Sequence, residues 1–156
     1  MIDLYFKPVK EDAKRPVKAH SNDSGFDLYA YEDVELEPQK QKIISTGIAA
    51  QAKFVNPEDA KKWIISFQIK GTSGNAAKLG LTPIGGVIDE GYTGEIGVIA
   101  VNTTKDVIHI KKGNKVAQLV PEVLPNINSV KYLSINDEFE KTDRGENGFG
   151  STGTAS

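Results

Sequence analysis

The sequence contains no cysteine among its 156 residues, which excludes disulfide bonds and thiolate metal sites. It also lacks an excess of positive charge, because 19 lysines and arginines face 21 aspartates and glutamates. A nucleic-acid-binding domain needs a basic surface, so no nucleic-acid partner is expected. No apolar run approaches the length of a membrane span and no leader precedes the first strand-like segment, so we expect no membrane partner and a cytoplasmic location.

Short β-branched runs, separated by glycine, proline, asparagine or aspartate, dominate the chain. Their spacing of roughly ten residues is typical of a β-sandwich or barrel, so we predict an all-β fold. Two short helices are also predicted, Asn56–Lys62 with Asn56 as its cap and Gly74–Leu79 with Gly80 at its end. The candidate strands are Ile2–Phe6, Asp33–Leu36, Lys42–Ala49, Ile64–Ile69, Glu95–Val101, Val107–Ile110, Val116–Val120 and Val130–Leu133.

The last residues combine one arginine, one aromatic ring, two hydroxyls and several glycines. Such a composition buries little, so we predict one domain over residues 1–136 and an extended, flexible arm over residues 137–156. Arg144 offers a planar set of donors for phosphate, and Phe149 offers a face for stacking. A frayed terminus has the same composition, and the arm alone favours that interpretation.

Asp89 follows the apolar pair Val87–Ile88 and precedes Tyr92 in a glycine-rich turn. This order predicts a β-hairpin with the carboxylate and the ring at its mouth. A carboxylate in that position can orient and deprotonate a water molecule. The same residues also occur in ordinary turns, so the segment alone does not decide between the two interpretations.

Three further groups of polar residues need partners. Thr72, Ser73 and Gly74 precede a predicted helix, where hydroxyls and N–H groups hold a phosphate or simply cap the helix. Gln118 lies on an apolar strand, and Asp27 lies between apolar neighbours. Both are expected to be partly buried, so each requires a hydrogen-bond or charge partner from the protein or from a ligand.

The order of these groups resembles that of the five motifs of the homotrimeric deoxyuridine triphosphatases (dUTPases), from residue 24 to residue 153. The third motif, Gly-Val-Ile-Asp-x-x-Tyr-x-Gly-Glu, and the fifth, Arg-Gly-x-x-Gly-Phe-Gly-Ser-Thr-Gly, are the most specific. The resemblance implies a distorted jelly-roll barrel or sandwich and a homotrimer with shared active sites. It also implies Mg²⁺-dependent hydrolysis of dUTP to dUMP and pyrophosphate, which keeps uracil out of DNA and supplies dUMP for thymidylate synthesis.

The same resemblance implies roles for individual residues. Asp89 corresponds to the residue that activates the attacking water, and Asp27 to the one that holds the metal through water. Tyr92 corresponds to the ring that leaves no room for a 2′-hydroxyl. The remaining implied substrate contacts are Thr72, Ser73, Gly74, Val87, Ile88, Gly97, Gln118, Arg144, Phe149, Gly150, Ser151 and Thr152.

Two departures from the family pattern affect function. Thr72 stands where the second motif usually has arginine, so Lys70 or Lys115 is a candidate replacement for the missing charge. An insertion over about residues 51–63 can be a binding surface for a regulatory protein or a surface elaboration. A dUTP-sensing regulatory module therefore stays an alternative function, whereas a dCTP deaminase would need a glutamate where Ile99 stands.

Overall fold

The computed structural model describes residues 1–142. The chain divides into two units, Met1–Asn126 and Ile127–Ser156. Within residues 1–142 the strands are β1 (Ile2–Pro8), β2 (Phe26–Tyr29), β3 (Val34–Leu36), β4 (Gln41–Ser45), β5 (Ile48–Phe54), β6 (Trp63–Lys70), β7 (Leu81–Pro83), β8 (Val87–Ile88), β9 (Gly97–Asn102), β10 (Ile108–Ile110) and β11 (Lys115–Pro125). No helix in this part of the chain has the length and apolar character that a membrane crossing requires.

The strands pair antiparallel in four sheets. One has four strands in the order β2–β11–β6–β8, and one has three in the order β4–β9–β7. The pairs β1–β5 and β3–β10 form the other two, and the described strands do not close into a barrel. The prediction of an all-β fold with one or two short helices is therefore confirmed.

One apolar core joins strands from different sheets. Leu28 of β2, Leu36 of β3, Ile44 of β4, Val98 of β9 and Leu119 of β11 are each at most 1% exposed. Burying an aliphatic side chain of this size stabilises the fold by about 1.5–3 kcal/mol. The shared core fixes β2, β9 and β11, the strands that carry Asp27, Gly97, Lys115 and Gln118.

Both short helices occur where they were predicted. Helix α1 (Pro57–Lys62) begins at Asn56, whose Oδ1 accepts the N–H of Glu58 at 3.1 Å. It ends at Trp63, and its residues are not buried. The second is a π-helical turn, Asn75–Leu79, which ends at Gly80 in the left-handed conformation.

The single strand predicted over Lys42–Ala49 is wrong, because the chain turns between β4 and β5. Gly47 lies at this turn with a positive φ of 69°. A Cβ at Gly47 would lie 2.8 Å from that of Ala13, so a larger residue has no room. The Gly47 carbonyl accepts the N–H of Val9 at 2.8 Å, which fixes the turn against the segment after β1.

The hairpin predicted around Asp89 is wrong in its pairing. The two arms that pair are β7 and β9, with Leu81 opposite Asn102, whereas β8 pairs with β6. Gly85 and Gly86 have φ values of 65° and 98°, and together they turn the chain from one sheet to the other. A Cβ on Gly86 would lie 3.0 Å from the carbonyl oxygen of Ile69, so this crossing requires glycine.

The second unit contains no helix or strand over residues 127–142. The strand predicted at Val130–Leu133 is therefore wrong, since its side chains are exposed and it has no paired strand in this part of the chain. Ser134 begins a turn in which its N–H donates to Asp137 Oδ2 at 2.7 Å. The backbone and side-chain hydrogen bonds from Ser134 hold the pKa of Asp137 below its ordinary value.

Candidate active site

A cavity of about 210 Å³ lies between β8 and the start of β9. The loop that connects these strands forms one wall of the cavity. The structure thus brings together five of the residues predicted from the sequence to contact substrate or to act as the base. The cavity is lined by Val87, Ile88, Asp89, Tyr92, Glu95, Ile96 and Gly97.

Two strand edges border this cavity. Within residues 1–142, β8 has a strand neighbour only on its β6 side, and Gly97 is paired only with Ser45 of β4. Backbone N–H and C=O groups on the free sides of these strands remain available to a planar ligand with its own donors and acceptors. A Cβ at Gly97 would lie 2.8 Å from Ile43 Cγ2, so the Ile43 side chain would have to move.

Asp89 is exposed and follows β8 directly. Its carbonyl accepts the N–H of Tyr92 at 3.2 Å, which closes a turn over residues 89–92. The next residue, Glu90, is held by its side chain, since Oε1 accepts the N–H of Ile65 on β6 at 3.2 Å. The carboxylate of Asp89 therefore stands on an anchored turn at the edge of the cavity, open to water.

The ring of Tyr92 is fixed from two directions although half of it is exposed. Its hydroxyl donates to the carbonyl oxygen of Glu95 at 2.9 Å. Gly94 lies against the ring, and a Cβ there would be 2.5 Å from the hydroxyl oxygen. The ring consequently has one position against the turn in which it can make this hydrogen bond.

Glu95 is the residue of this cavity that the sequence reasoning did not single out. Its Oε1 accepts from Ser45 Oγ and from the N–H of Gly47, and its Oε2 lies 3.3 Å from Lys10 Nζ. Burial alone would raise the pKa of Glu95, but these three hydrogen-bond partners together hold the pKa below its ordinary value. The Glu95 carboxylate is therefore ionised near neutral pH and held in place by these partners.

A second polar group forms around the end of β6. Lys115 Nζ lies 3.1 Å from Asp27 Oδ2, and the Asp27 side chain is only 15% exposed. Gln118 stands opposite Asp27 on one side and opposite Lys70 on the other, and its Nε2 donates to the Gly71 carbonyl at 3.3 Å. The predictions that Asp27 and Gln118 are partly buried and need partners are confirmed.

The Thr72–Gly74 segment begins the π-helical turn. Thr72 Oγ1 accepts the N–H of Asn75, the first residue of this turn, at 3.4 Å. Asn75 Nδ2 in turn donates to the Lys115 carbonyl at 2.9 Å, which ties the turn to β11. Ser73 and Gly74 are exposed, and nothing lies within 4 Å of a Cβ added to Gly74.

Strand β6 connects the cavity with this second group. The N–H of Ile69 donates to the Gly86 carbonyl at 2.8 Å, and the next residue, Lys70, pairs with Gln118. The crossing at Gly86 therefore lies near the Lys70 end of β6, whereas the Asp89 turn runs along β6 toward Ile65. The predicted contacts Arg144, Phe149, Gly150, Ser151 and Thr152 lie outside the described residues.

The carboxylates suit a metal ion held through water better than one bound directly. Within residues 1–142, no group of three histidine, aspartate or glutamate side chains is placed to ligate a metal. Asp27 offers one carboxylate whose Oδ2 faces Lys115. Mg²⁺ usually retains several waters and takes other ligands from substrate phosphates, so a single carboxylate fits this mode.

A larger cavity of about 460 Å³ lies on the other side of the Asp89 turn. Its walls come from β5, α1 and β6, so it involves the predicted insertion. Asp89 and Tyr92 line both cavities. The remaining lining residues are Ala50, Gln51, Ala52, Lys53, Phe54, Pro57, Ala60, Ile65, Phe67, Glu90 and Gly91.

Comparison with known proteins identifies the family of this chain. The family model for dUTPase matches residues 11–153. A deoxyuridine 5′-triphosphate nucleotidohydrolase of Clostridium tetani is 43% identical over 154 residues, covering 96% of both chains. This chain belongs to the dUTPase family. The dUTPase motifs named above, which run from residue 24 to residue 153, all fall within the matched residues.

Two solved dUTPase structures show the same fold. The dUTPase of Staphylococcus bacteriophage 80alpha with dUpNHpp superposes with a TM-score of 0.74 at 27% identity, covering 97% of this chain and 99% of the other. Phage dUTPases such as this relative are described as controlling the transfer of virulence genes by a proto-oncogenic G protein-like mechanism. A mutant dUTPase from phage phi11 of S. aureus, with a structural Mg(II) ion, has a TM-score of 0.69 at 27% identity, covering 89% and 99%.

Proposed function

We propose that this chain hydrolyses dUTP to dUMP and pyrophosphate in the cavity between β8 and β9. The observation that carries this proposal is the convergence of Val87, Ile88, Asp89, Tyr92 and Gly97 on one cavity. These residues provide a base, a ring and two strand edges, which are the groups that selective hydrolysis of a nucleotide requires. The reaction limits uracil in DNA and supplies dUMP for thymidylate synthesis.

Asp89 acts as the general base. Its exposed carboxylate takes a proton from water as the water oxygen forms a bond to the α-phosphorus. The bond between the α-phosphorus and the oxygen bridging to the β-phosphorus breaks, and pyrophosphate leaves with that electron pair. The anchored turn over residues 89–92 contributes by holding the base in place before the reaction begins.

The free edges of β8 and β9 read the base. Uracil presents alternating acceptors and a donor, which pair with backbone groups around Val87, Ile88 and Gly97. Cytosine reverses part of this pattern, and the thymine methyl group would meet the backbone. The Tyr92 ring, held by Glu95 and Gly94, closes against the sugar and leaves no room for a 2′-hydroxyl.

The group around the end of β6 receives the triphosphate. Ser73 and Gly74 offer exposed donors, and Gln118 and Lys115 lie beside them on β11. Bound Mg²⁺ supplies neutralisation of phosphate charge, and Asp27 would hold it through water. Lys115 is the better candidate to replace the arginine missing at Thr72, because its ammonium group already lies within this group of residues.

We also propose a homotrimer with a domain over residues 1–136, an insertion over about residues 51–63 and an arm over residues 137–156. Exposed apolar side chains on the three-stranded sheet support an interface, since Ile43 is 68% exposed and stands opposite Ile99. In the arm, Arg144, Ser151 and Thr152 contact the γ-phosphate, Phe149 covers uracil in a neighbouring subunit, and Gly150 is a further substrate contact. A cytoplasmic location suits a chain without cysteine.

A pyrophosphate-release assay tests this function. The purified chain is given dUTP, dCTP, dTTP, dATP, dGTP and UTP with Mg²⁺, and the nucleotide products are identified. We expect release from dUTP at a rate at least about 100-fold above that from any other nucleotide. Failure to cleave dUTP would refute the proposal, and deamination of dCTP would support the alternative enzyme despite Ile99 at the decisive position.

A dUTP-sensing role is a second candidate, and the larger cavity favours it. Occupation of the space between α1, β5 and β6 would press on Asp89 and Tyr92, which line that cavity too. A regulatory protein bound at the insertion would therefore respond to nucleotide and affect turnover. Binding of a partner that depends on dUTP and is lost when residues 56–62 are replaced by a glycine-serine linker would support this role.

A further inference from the structure

The loop between β8 and β9 is attached at its end by a closed polar network. Glu95 accepts hydrogen bonds from Ser45 Oγ and the N–H of Gly47, and pairs with Lys10 Nζ. Lys10 Nζ also donates to Ser45 Oγ at 2.7 Å. Each side chain in the network therefore contacts the other two, so removal of one loosens both of its partners.

Lys10 and Ser45 belong to parts of the fold outside the nucleotide cavity. Lys10 follows β1, and Ser45 ends β4; neither lines the cavity with Asp89. Lys10 is held further by Tyr31, whose ring centre is 4.9 Å from the ammonium nitrogen. Both side chains contact the Glu95 carboxylate, and Glu95 lines the cavity.

Glu95 connects the network to the Tyr92 ring. The Glu95 side chain is anchored by the network, while its backbone carbonyl accepts the Tyr92 hydroxyl at 2.9 Å. Gly94 places bare backbone against that ring. A shift of the Glu95 backbone therefore moves the acceptor to which the Tyr92 hydroxyl is bound.

We propose that Glu95 is a positioning residue for Tyr92, and that Lys10 and Ser45 act through it to set discrimination between deoxyribose and ribose nucleotides. This inference rests on the proposed function, in which the Tyr92 ring closes against the sugar. Rejection of one hydroxyl group depends on the space between ring and sugar, so a small displacement of the ring admits the ribose. The proton transfer to Asp89 does not use this hydrogen bond.

The test compares Ser45→Ala and Lys10→Met with two matched controls. Thr103→Val removes a hydroxyl that donates to the Gly80 carbonyl at 2.9 Å, and Thr103 neither lines the cavity nor contacts Glu95 in the described hydrogen bonds. Lys111→Met removes a lysine–carboxylate pair with Asp33 elsewhere on the surface. For every variant, kcat and KM are measured for dUTP and UTP, together with the thermal midpoint.

We expect the ratio of kcat/KM for dUTP to that for UTP to fall about tenfold or more in Ser45→Ala and Lys10→Met. The kcat for dUTP should stay within about threefold of the wild-type value. Both controls should keep the wild-type ratio, even where Thr103→Val lowers the thermal midpoint. Ser45→Thr, which retains the hydroxyl, should restore the ratio.

Two outcomes would overturn the positioning role alone. One is an unchanged ratio in folded Ser45→Ala and Lys10→Met, and the other is an equal loss of selectivity in Thr103→Val. Wild-type turnover of dUTP, measured in the same experiment, tests the proposed function separately. A wild-type chain that does not cleave dUTP would overturn both.

Discussion

Lys115 and Asp27 form an ion pair across β11 and β2, with 3.1 Å between Nζ and Oδ2. The Asp27 side chain is largely buried, whereas 42% of the Lys115 side chain is exposed. The exposed partner of such a pair can reach a ligand while the buried partner keeps it in place. This arrangement places a positive charge beside the segment where Thr72 replaces the usual arginine.

Replacing Lys115 by methionine should raise the KM for dUTP about tenfold, equivalent to about 1.4 kcal/mol, with a smaller effect on kcat. The reason is the loss of one positive charge beside the triphosphate. Lys111→Met, which breaks the pair with Asp33, is the matched control and should keep the wild-type KM. Steady-state kinetics at fixed ionic strength measures both variants.

Lys115→Arg is the control that retains the charge. It keeps a positive charge beside Asp27 and the triphosphate, so its KM should stay near the wild-type value. Wild-type KM values in both Lys115→Met and Lys70→Met would contradict the assignment of either lysine as the replacement for arginine.

Asp89→Asn should lower kcat for dUTP at least about 100-fold and change the affinity for nucleotide little. Asparagine occupies the same space but does not accept the proton from water. Binding is measured by calorimetry with dUpNHpp, and turnover by pyrophosphate release. Retention of more than a tenth of the wild-type kcat would show that another group acts as the base.

Ending the chain after Asp143 should abolish most dUTP hydrolysis and leave the fold intact. The strands and the core lie in residues 1–126, so the thermal midpoint should change little. Removal of residues 154–156 only, beyond the fifth motif, is the control and should have no effect on turnover. Normal hydrolysis by the shorter chain would disprove the role proposed for the arm.

Glu95 should make stability depend on pH in the acid range. Its pKa in the folded chain lies below the unfolded value of about 4.3, because the hydrogen bonds from Ser45, Gly47 and Lys10 outweigh the effect of burial. The stabilisation is therefore fully present above about pH 4.3 and is lost as the pH falls through the folded pKa. The thermal midpoint of Glu95→Gln should lie below wild type at pH 7 and approach it near pH 3.

The pKa of Asp33 is also lowered in the folded chain, so Asp33 adds to the same acid dependence and needs its own control. Hydrogen bonds from Lys111 and from the N–H of Lys112 hold the pKa of Asp33 below its ordinary value. Asp33→Asn should therefore remove a different part of the acid dependence and leave the part due to Glu95. A difference between wild type and Glu95→Gln that stays constant from pH 3 to pH 7 would contradict the account of Glu95.

The sequence predicted which residues form the site better than it predicted which strands pair to hold them. Asp89, Tyr92 and Gly97 are close in sequence, so their convergence on one cavity follows from a single turn. The pairing of β8 with β6 was not predicted, because the two strands are distant in sequence and β8 has only two residues. Beside this pairing, Gly86 lies against the backbone of Ile69 and accepts its N–H at 2.8 Å.

The Glu95 network shows the same limit. Glu95 was part of a quoted motif, but its partners Ser45 and Lys10 come from segments 50 and more residues away. No local sequence pattern predicts these contacts, since serine and lysine are common residue types at many positions. The ion pair of Asp27 was easier to foresee, because an aspartate between apolar residues requires a partner wherever that partner lies.

Trp63, the single tryptophan, ends α1 and begins β6. It stands opposite Pro125 on β11 and is 40% exposed. It does not line the cavity with Asp89, so its intrinsic fluorescence is a natural optical probe of the insertion rather than of nucleotide chemistry. An emission change on adding nucleotide would report that the occupied cavity has altered the surroundings of α1, without any dye attached to the chain.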